Sequence, residues 1–297
     1  MNDEVTAADG RVDGVYRYPV KSLRGHRLDT AVVEPWGLAG DRRWMVVDDR
    51  GRAVTAREIP SMLLLSPEPT EDGLLVHAPD RRPLHVAFPD PGRQVPVSLW
   101  KSELTAAADE DAHDWFSTVL GRRVRLVHLD APTRRTVDPR FGAPDDRVSF
   151  ADGFPLLVAT TASLDALNAA LACAPVPGPQ MTMERFRPNL VVDGAEAWGE
   201  DDWRRVRIGG TTFRAVKGCG RCVMTTIDPD TAEKQREPIP TLARLRRWDG
   251  QVWFGVNLVP DDPGAVVSVG DVVEVLEAVG PADRVGPLRA GVVPEAV

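Results

Sequence analysis

Short runs of Val and Leu, separated by turn residues and repeated along nearly the whole chain, are the feature that most limits what this sequence can fold into. In the first half they are RVDGVYRYPV, RRWMVVD, MLLLS, GLLVHA, PLHVAF and QVPVSLW, with punctuation such as Asp48-Asp49-Arg50-Gly51. In the second half they are FPLLVAT, FRPNLVV, TTFRAV, CVMTTI, WFGVNLV and DVVEVL. So many short strands create many edges, and a sheet that closes or folds on itself disposes of them. The expected class is α+β with β dominant, in two consecutive parts and with a few helices.

One helix is signalled by Ala112, Trp115, Phe116, Val119 and Leu120, which fall at i, i+3, i+4, i+7 and i+8. Asp109 before it and Gly121 after it read as cap signals. A second helix is predicted over TASLDALNAAL, capped by Thr161 or Ser163. A short third one lies around TLARLRRW. RVRLVHL, 123 to 129, reads as a strand. The Pro-, Arg- and Asp-rich stretch 130 to 146 has no periodicity and marks a domain boundary or a long functional loop.

At 297 residues there is ample length for a large core. A net charge of −8 argues against a general nucleic-acid or anionic-membrane binder, so an anionic ligand would need a local basic pocket. No apolar run approaches the roughly 18 residues needed to span a bilayer. The acidic, polar start MNDEVTAADG lacks the order of a signal peptide, and the expected location is the cytoplasm. Three cysteines, Cys173, Cys219 and Cys222, do not make a disulfide framework.

Two of those cysteines stand in KGCGRCVMTTIDPDT, 217 to 231. A thioredoxin-type pair belongs at a helix N-terminus, whereas VMTTI reads as a strand. Zinc needs four ligands, and no second Cys or His pair has the spacing. A buried structural pair is one remaining reading. The other is a single coordinating thiolate, a soft ligand suited to a transition metal, with Lys217 and Arg221 alongside to favour its charge.

Three further stretches carry anion anchors. Only 4 of the 36 basic residues are lysines, and Lys21 lies in YPVKSLRG, where Lys21 and Ser22 follow a strand and precede a Gly turn. Arg42 and Arg43 in GDRRWMVVD precede an apolar strand, and whichever points inward needs an anionic partner. Arg185, Arg187 and Asn189 in RFRPNLVV alternate with apolar residues at the start of a strand and would share one face. Scattered basic anchors in an acidic chain suit an extended anionic cofactor.

In YPVKSLRG, GDRRWMVVD, FRPNLVV, CGRCVMTTIDPDT and FGVNLVP running to VGDVVEVL, the chain resembles the MOSC-domain proteins that carry an N-terminal MOSC β-barrel domain. That group includes the mitochondrial amidoxime-reducing component and its bacterial relatives. The resemblance implies an N-terminal β-barrel domain over 11–129, a MOSC β-barrel domain over 130–280, and flexible tails at 1–10 and 281–297. It implies a molybdenum cofactor (Mo-molybdopterin), with Cys222 as the protein ligand to the metal. Lys21, Ser22, Arg42 and Arg187 would hold the pterin's phosphate and edges, with Asn189, Gly220 and Arg221 close by. Asn257 stands where the mitochondrial proteins have a tyrosine, and Gly220 where they have a serine.

The implied activity is reduction of N-hydroxylated compounds to the amine or amidine plus water. The implied partners are a small-molecule substrate and a separate electron-donor protein, ferredoxin- or cytochrome-b5-like with its reductase; no plant-type iron–sulfur cysteine spacing is present. Asp152, in FADGFPL, corresponds to an acid near the cofactor and is the candidate proton donor. Two other functions stay open: a cofactor or sulfur carrier of the maturation type, and a thiol oxidoreductase using Cys219 with Cys222.

Overall fold

The computed structural model describes residues 10–280 except 109 and 111. The helix-cap role expected of Asp109 and the tails expected at 1–10 and 281–297 lie outside the described residues, except that Gly10 opens the first strand and is not tail. The β-dominated architecture is as the strand pattern requires, with three α-helices among the described residues: α1 (His113–Leu120), α2 (Thr161–Ala172) and α3 (Ile239–Arg246).

Seven strands close into a barrel. Its order is Leu156–Thr160, Leu190–Asp193, Gly10–Arg17, Val272–Ala278, Trp203–Ile208, Thr211–Gly220 and Gln251–Pro260. The last strand pairs back onto the first, Leu157 facing Asn257. Every pairing is antiparallel except that of Leu156–Thr160 with Leu190–Asp193, which is parallel and is bridged by α2. Alternate residues fill the interior, among them Val12, Val15, Val158, Val206, Phe213, Val256 and Leu258, all buried. Each such side chain contributes about 1.5–3 kcal/mol by leaving water. The strand Gly10–Arg17 is the first in the chain, yet it hydrogen-bonds between two strands of the C-terminal half.

The rest of the N-terminal half forms smaller sheets. Trp44–Val47, Arg125–His128, Ser102–Ala108 and Gln94–Leu99 make one of four strands, and Ser66–Pro69, Gly73–His77 and Leu84–Ala87 another of three. A third sheet joins Val266–Ser268, Thr30–Glu34 and Gly37–Leu38. Phe116 and Leu120 of α1 pack on Trp44, Val46 and Leu74, and Gly121 ends the helix in the left-handed conformation (φ 63°). Helix α2 is capped one residue earlier than expected, by Thr160, whose hydroxyl accepts from the Ser163 amide.

Three strand expectations fail locally. MLLLS forms a 3₁₀ turn over Pro60–Leu64, opened by Pro60. VMTT forms another over Val223–Thr226, because Thr225 Oγ1 and Thr226 Oγ1 bond back to the carbonyls of Cys222 and Val223. In RFRPNLVV the strand begins only at Leu190, and Arg187 takes a left-handed φ of 56°. Arg185, Arg187 and Asn189 therefore do not alternate along one strand face. No helix among the described residues is long and apolar enough to cross a membrane.

Candidate functional site

The barrel strand Thr211–Gly220 is bulged against Gln251–Pro260 between Ala215 and Lys217 and again between Gly218 and Gly220. Bulges turn a strand end away from its ladder, and here they carry the Cys-x-x-Cys segment to the rim of a cavity. All ten sequence-derived site residues line that cavity: Lys21, Ser22, Arg42, Asp152, Arg187, Asn189, Gly220, Arg221, Cys222 and Asn257. Arg57 and Arg185 line it too. It thus gathers Lys21, Ser22, Arg42 and Arg57 from the N-terminal half with residues of the loops at 151–154, 185–189 and 219–225 from the second half.

Backbone strain is concentrated here. Ser22 (φ 68°), Arg42 (φ 47°) and Arg187 (φ 56°) are three of eight non-glycine residues with positive φ among the described residues. An L side chain in that region costs about 1–3 kcal/mol and persists where the surroundings hold it, commonly at functional sites. The surroundings are visible for Arg42. Its amide donates to Tyr18 O at 2.7 Å, its carbonyl accepts from Phe150 N at 2.9 Å, and its guanidinium donates to Asp41 Oδ2 at 2.6 Å and Asn189 Oδ1 at 3.0 Å.

The Tyr18 ring supports both arginines. The guanidinium carbons of Arg42 and Arg187 lie 4.3 and 4.2 Å from its centroid. Tyr18 itself is anchored by a 3.0 Å hydrogen bond from its hydroxyl to Pro188 O. Burial depresses the Arg187 guanidinium to about 10, opposed by Tyr18 and aggravated by Arg42, and its Nη2 is buried with no partner. Arg42 stays charged: burial opposes it, but Asp41 outweighs that cost. Arg221 donates Nε to Phe254 O and Nη1 to Phe186 O, both at 2.9 Å, and its Nη2 is likewise buried without a partner. Two cationic side chains lining one cavity, each with a buried nitrogen lacking a hydrogen-bond partner, fit an anionic ligand, since an unsatisfied buried donor is otherwise a net cost.

At the mouth, Lys21 Nζ donates to Phe150 O at 2.9 Å and to Asp152 Oδ1 at 2.5 Å. Burial pushes Lys21 down to about 8 against the pull of Asp152. Confinement disfavours the Asp152 charge, but Lys21, then Arg57 and the Trp100 indole, hold its carboxyl well below the usual carboxylate range. Its side chain keeps 63% of its surface open to the solvent-filled mouth. Asp152 accepts from three donors at once, which favours its carboxylate form.

Asn189 is 1% exposed, and its amide is committed to Arg42, Leu157 N and Tyr16 O. It positions the wall. Asn257 Nδ2 donates to Lys217 O at 3.1 Å and Gly218 O at 3.3 Å, tying down the bulged strand. Ser22 has no hydrogen-bond partner for its hydroxyl among the described residues. The two cysteines differ: Cys222 is exposed at the wall, while Cys219 is half-buried and burial pushes its thiol up, though Arg221 opposes. Both are free thiols.

Sequence profiles for the MOSC N-terminal beta barrel domain and the MOSC domain match residues 9–123 and 145–274. The mitochondrial amidoxime-reducing component 1 of Xenopus laevis is 31% identical over 257 residues, covering 82% of this chain and 73% of that protein. This chain belongs to the MOSC family. The human mitochondrial amidoxime-reducing component 1 is 31% identical over 288 residues, 90% of this chain and 83% of that protein. A molybdenum cofactor sulfurase of Oryza sativa subsp. japonica is 28% identical over 281 residues, 88% of this chain and 34% of its own length. The names of the first two relatives are mitochondrial and lend no support to the cytoplasmic location expected from the N-terminus.

In this MOSC protein several site residues carry no local sequence signal. Tyr18 looks like one more strand aromatic, and Arg57 lies in a turn, yet Arg57 Nη2 reaches Asp152 Oδ2 at 3.2 Å across 95 residues. The DPDT segment has a structural task. Asp228 accepts from Arg185 Nη2 at 2.6 Å and from the amides of Asp230 and Thr231, while Asp230 pairs with Arg24. Those bonds clamp the turn that follows Cys222.

Proposed function

We propose that the cavity holds a molybdenum cofactor and that the protein reduces N-hydroxylated compounds. The reading rests on one observation above the others. An exposed Cys222 lines the same cavity as Arg187 and Arg221, each of which keeps a buried Nη2 with no hydrogen-bond partner. A soft sulfur ligand beside unsatisfied cations is the donor set that a metal carried on an anionic organic group requires. The amidoxime-reducing relatives supply the reaction class.

Cys222 would hold the metal through sulfur. Lys21, Ser22, Arg187 and Arg221 would meet the anionic and polar edges of the cofactor, with Arg42 and Asn189 fixing their positions. When bound, the cofactor supplies the two-electron chemistry that breaks an N–O bond. Each turnover takes two electrons and two protons and releases one water. The electrons would come from a separate carrier protein, ferredoxin- or cytochrome-b5-like with its reductase. Asp152 acts as a carboxylate that orients the Lys21 ammonium, and that ammonium is the proton-bearing group nearest neutral pH at the mouth.

Two alternatives carry less. The sulfurase relative has about three times this length, so a carrier role shares only part of that protein. A dithiol enzyme needs a low-pKa attacking thiol, whereas burial pushes Cys219 the other way. Metal and pterin analysis of purified protein tests the main reading: molybdenum near one per chain, lost in Cys222→Ala and kept in Cys219→Ala, supports it. Zinc, or full molybdenum in Cys222→Ala, would overturn it.

A further inference from the structure

A second chamber opens beside the cofactor cavity and shares Asp152, Gly153, Phe154, Cys219, Gly220 and Asn257 with it. Its outer walls come from the 135–141 loop, from Lys217, and from the tip of the hairpin joining Gln94–Leu99 to Ser102–Ala108.

That tip is unusual. Leu99 pairs with Ser102, so Trp100 and Lys101 form a two-residue turn, a place that favours Gly or Asn. Trp100 adopts φ 56° there and leaves 60% of its surface exposed. A large aromatic residue in a left-handed conformation, open to water, is costly on both counts. Its surroundings hold it in place. The Arg57 guanidinium lies 4.6 Å from its centroid, and its indole N–H donates to Asp152 Oδ1 at 3.4 Å. The N-terminal half thereby holds an aromatic plate at the entrance of a cavity in the barrel.

Facing into the same chamber, Phe141 and Phe154 meet edge to face at 5.8 Å. Lys217 Nζ stands 4.7 Å from the Phe141 centroid. Lys217 is half-buried, and its ammonium has no hydrogen-bond or ion-pair partner among the described residues. Most of the charges around it have other partners, although the Asp138 carboxylate also attracts the Lys217 ammonium. Asp138 is held by Arg140 at 2.6 Å, Asp152 by Lys21 and Arg57, and Arg135 is spent on the carbonyls of Ser149, Ala151 and Asp152. The chamber's lining carries more cations (Lys101, Arg135, Arg140, Lys217) than anions (Asp138, Asp152).

We propose that this chamber binds the body of the substrate, and that it selects a flat aromatic ring bearing an anionic group, with the ring among Trp100 and Phe154 and the anion on Lys217. Six wall residues are common to both cavities, so a ring seated here can present an attached N–O group toward the Cys222 side. The inference rests on the reductase reading for that last step, and the ring-and-anion site stands without it.

The test compares benzamidoxime with 4-carboxybenzamidoxime as substrates of the loaded enzyme, and separately titrates 4-carboxybenzamidine, which has no N–O bond, by calorimetry. The wild type should prefer the carboxylated substrate through KM, and Lys217→Met should reduce that preference about tenfold or more, as loss of a charge-assisted bond does. Lys217→Arg should restore most of it. Binding of 4-carboxybenzamidine should weaken in step in Lys217→Met, and again in Trp100→Gly, a change that suits the turn's backbone. Equal KM shifts for both substrates, or unchanged 4-carboxybenzamidine binding in Lys217→Met, would overturn the proposal. Calorimetric binding that depends on Lys217 without turnover of either amidoxime would uphold the chamber and remove the reductase reading instead.

Discussion

Lys21 and Asp152 lie 131 residues apart in the chain and form a 2.5 Å ion pair that joins the two halves of the protein at the mouth of the cavity. Lys21 is buried and Asp152 is not, so the pair is asymmetric: the lysine bears the desolvation and the carboxylate compensates it from the solvent side.

That asymmetry has a pH signature. An unfolded lysine titrates near 10.5, whereas folded Lys21 is pushed down to about 8. Between those values the unfolded chain binds more protons, so stability rises with pH across that window. Urea midpoints of the cofactor-free protein should show the rise, and Lys21→Met should lose it. Asp152→Asn removes the compensating charge, so the rise should begin at lower pH. Asp152 itself stabilises the fold above the ordinary carboxylate range, and that contribution is lost as pH falls through its depressed pKa.

Arg187 sits in a conflict between folding and binding. Its guanidinium is buried, depressed to about 10, and one nitrogen has no partner. Arg187→Met should therefore stabilise the cofactor-free protein by about 1 kcal/mol or more, since an unpaired buried charge is removed. The same variant should retain less pterin after purification. Thermal unfolding of the stripped protein and pterin fluorescence measure the two effects separately. A variant that loses stability and keeps its pterin would contradict the binding role.

Glu200 makes a prediction remote from the site. It is fully buried beside α2, accepts from Thr160 Oγ1 and Ser163 Oγ, and leaves Oε1 without a partner. Burial first, then Asp201, raises it to about 7 from an ordinary 4.5. Its contribution to stability is complete below the unfolded value and is lost as pH rises through about 7. Glu200→Gln should flatten that decline and be the more stable protein in mildly alkaline buffer, as read by denaturant midpoints.

The Tyr18 hydroxyl offers a smaller, cleaner perturbation. Tyr18→Phe deletes its bond to Pro188 O and leaves the ring under both arginines. The expected loss is about 1–2 kcal/mol of stability, because the carbonyl stays buried. Tyr18→Leu removes the ring as well and should additionally lower pterin retention.

The strand pattern and the local motifs were readable because each needs only neighbouring residues. Val and Leu alternation locates the barrel strands, and Lys21-Ser22, Arg42, Arg187 and the Cys-x-x-Cys stand in contiguous signatures. Tyr18, Arg57 and Trp100 were not readable as site residues, since their partners Pro188 and Asp152 lie 170, 95 and 52 residues away. The 3₁₀ turn after Cys222 is hidden for a different reason. VMTTI has strand propensity, but two threonine hydroxyls and the Asp228–Arg185 clamp override it. The cations that hold Asp152 as a carboxylate are illegible in the sequence because all are distant in the chain.

The barrel takes a strand from each end of the described chain, and the ribosome delivers those ends last and first. Gly10–Arg17 emerges early, and its two barrel neighbours follow only much later, Leu190–Asp193 after roughly 175 further residues and Val272–Ala278 after roughly 260. For that interval only its end is paired, Val15–Arg17 with His26–Leu28, and the edge around Val12 stays open to other strands. The smaller sheets of the N-terminal half can form meanwhile, so synthesis leaves the earliest strand waiting on the latest. A chain cut at 130 would carry this problem permanently: the C-terminal fragment lacks one stave of its barrel and exposes two edges. Supplying residues 10–17 as a separate peptide should close it.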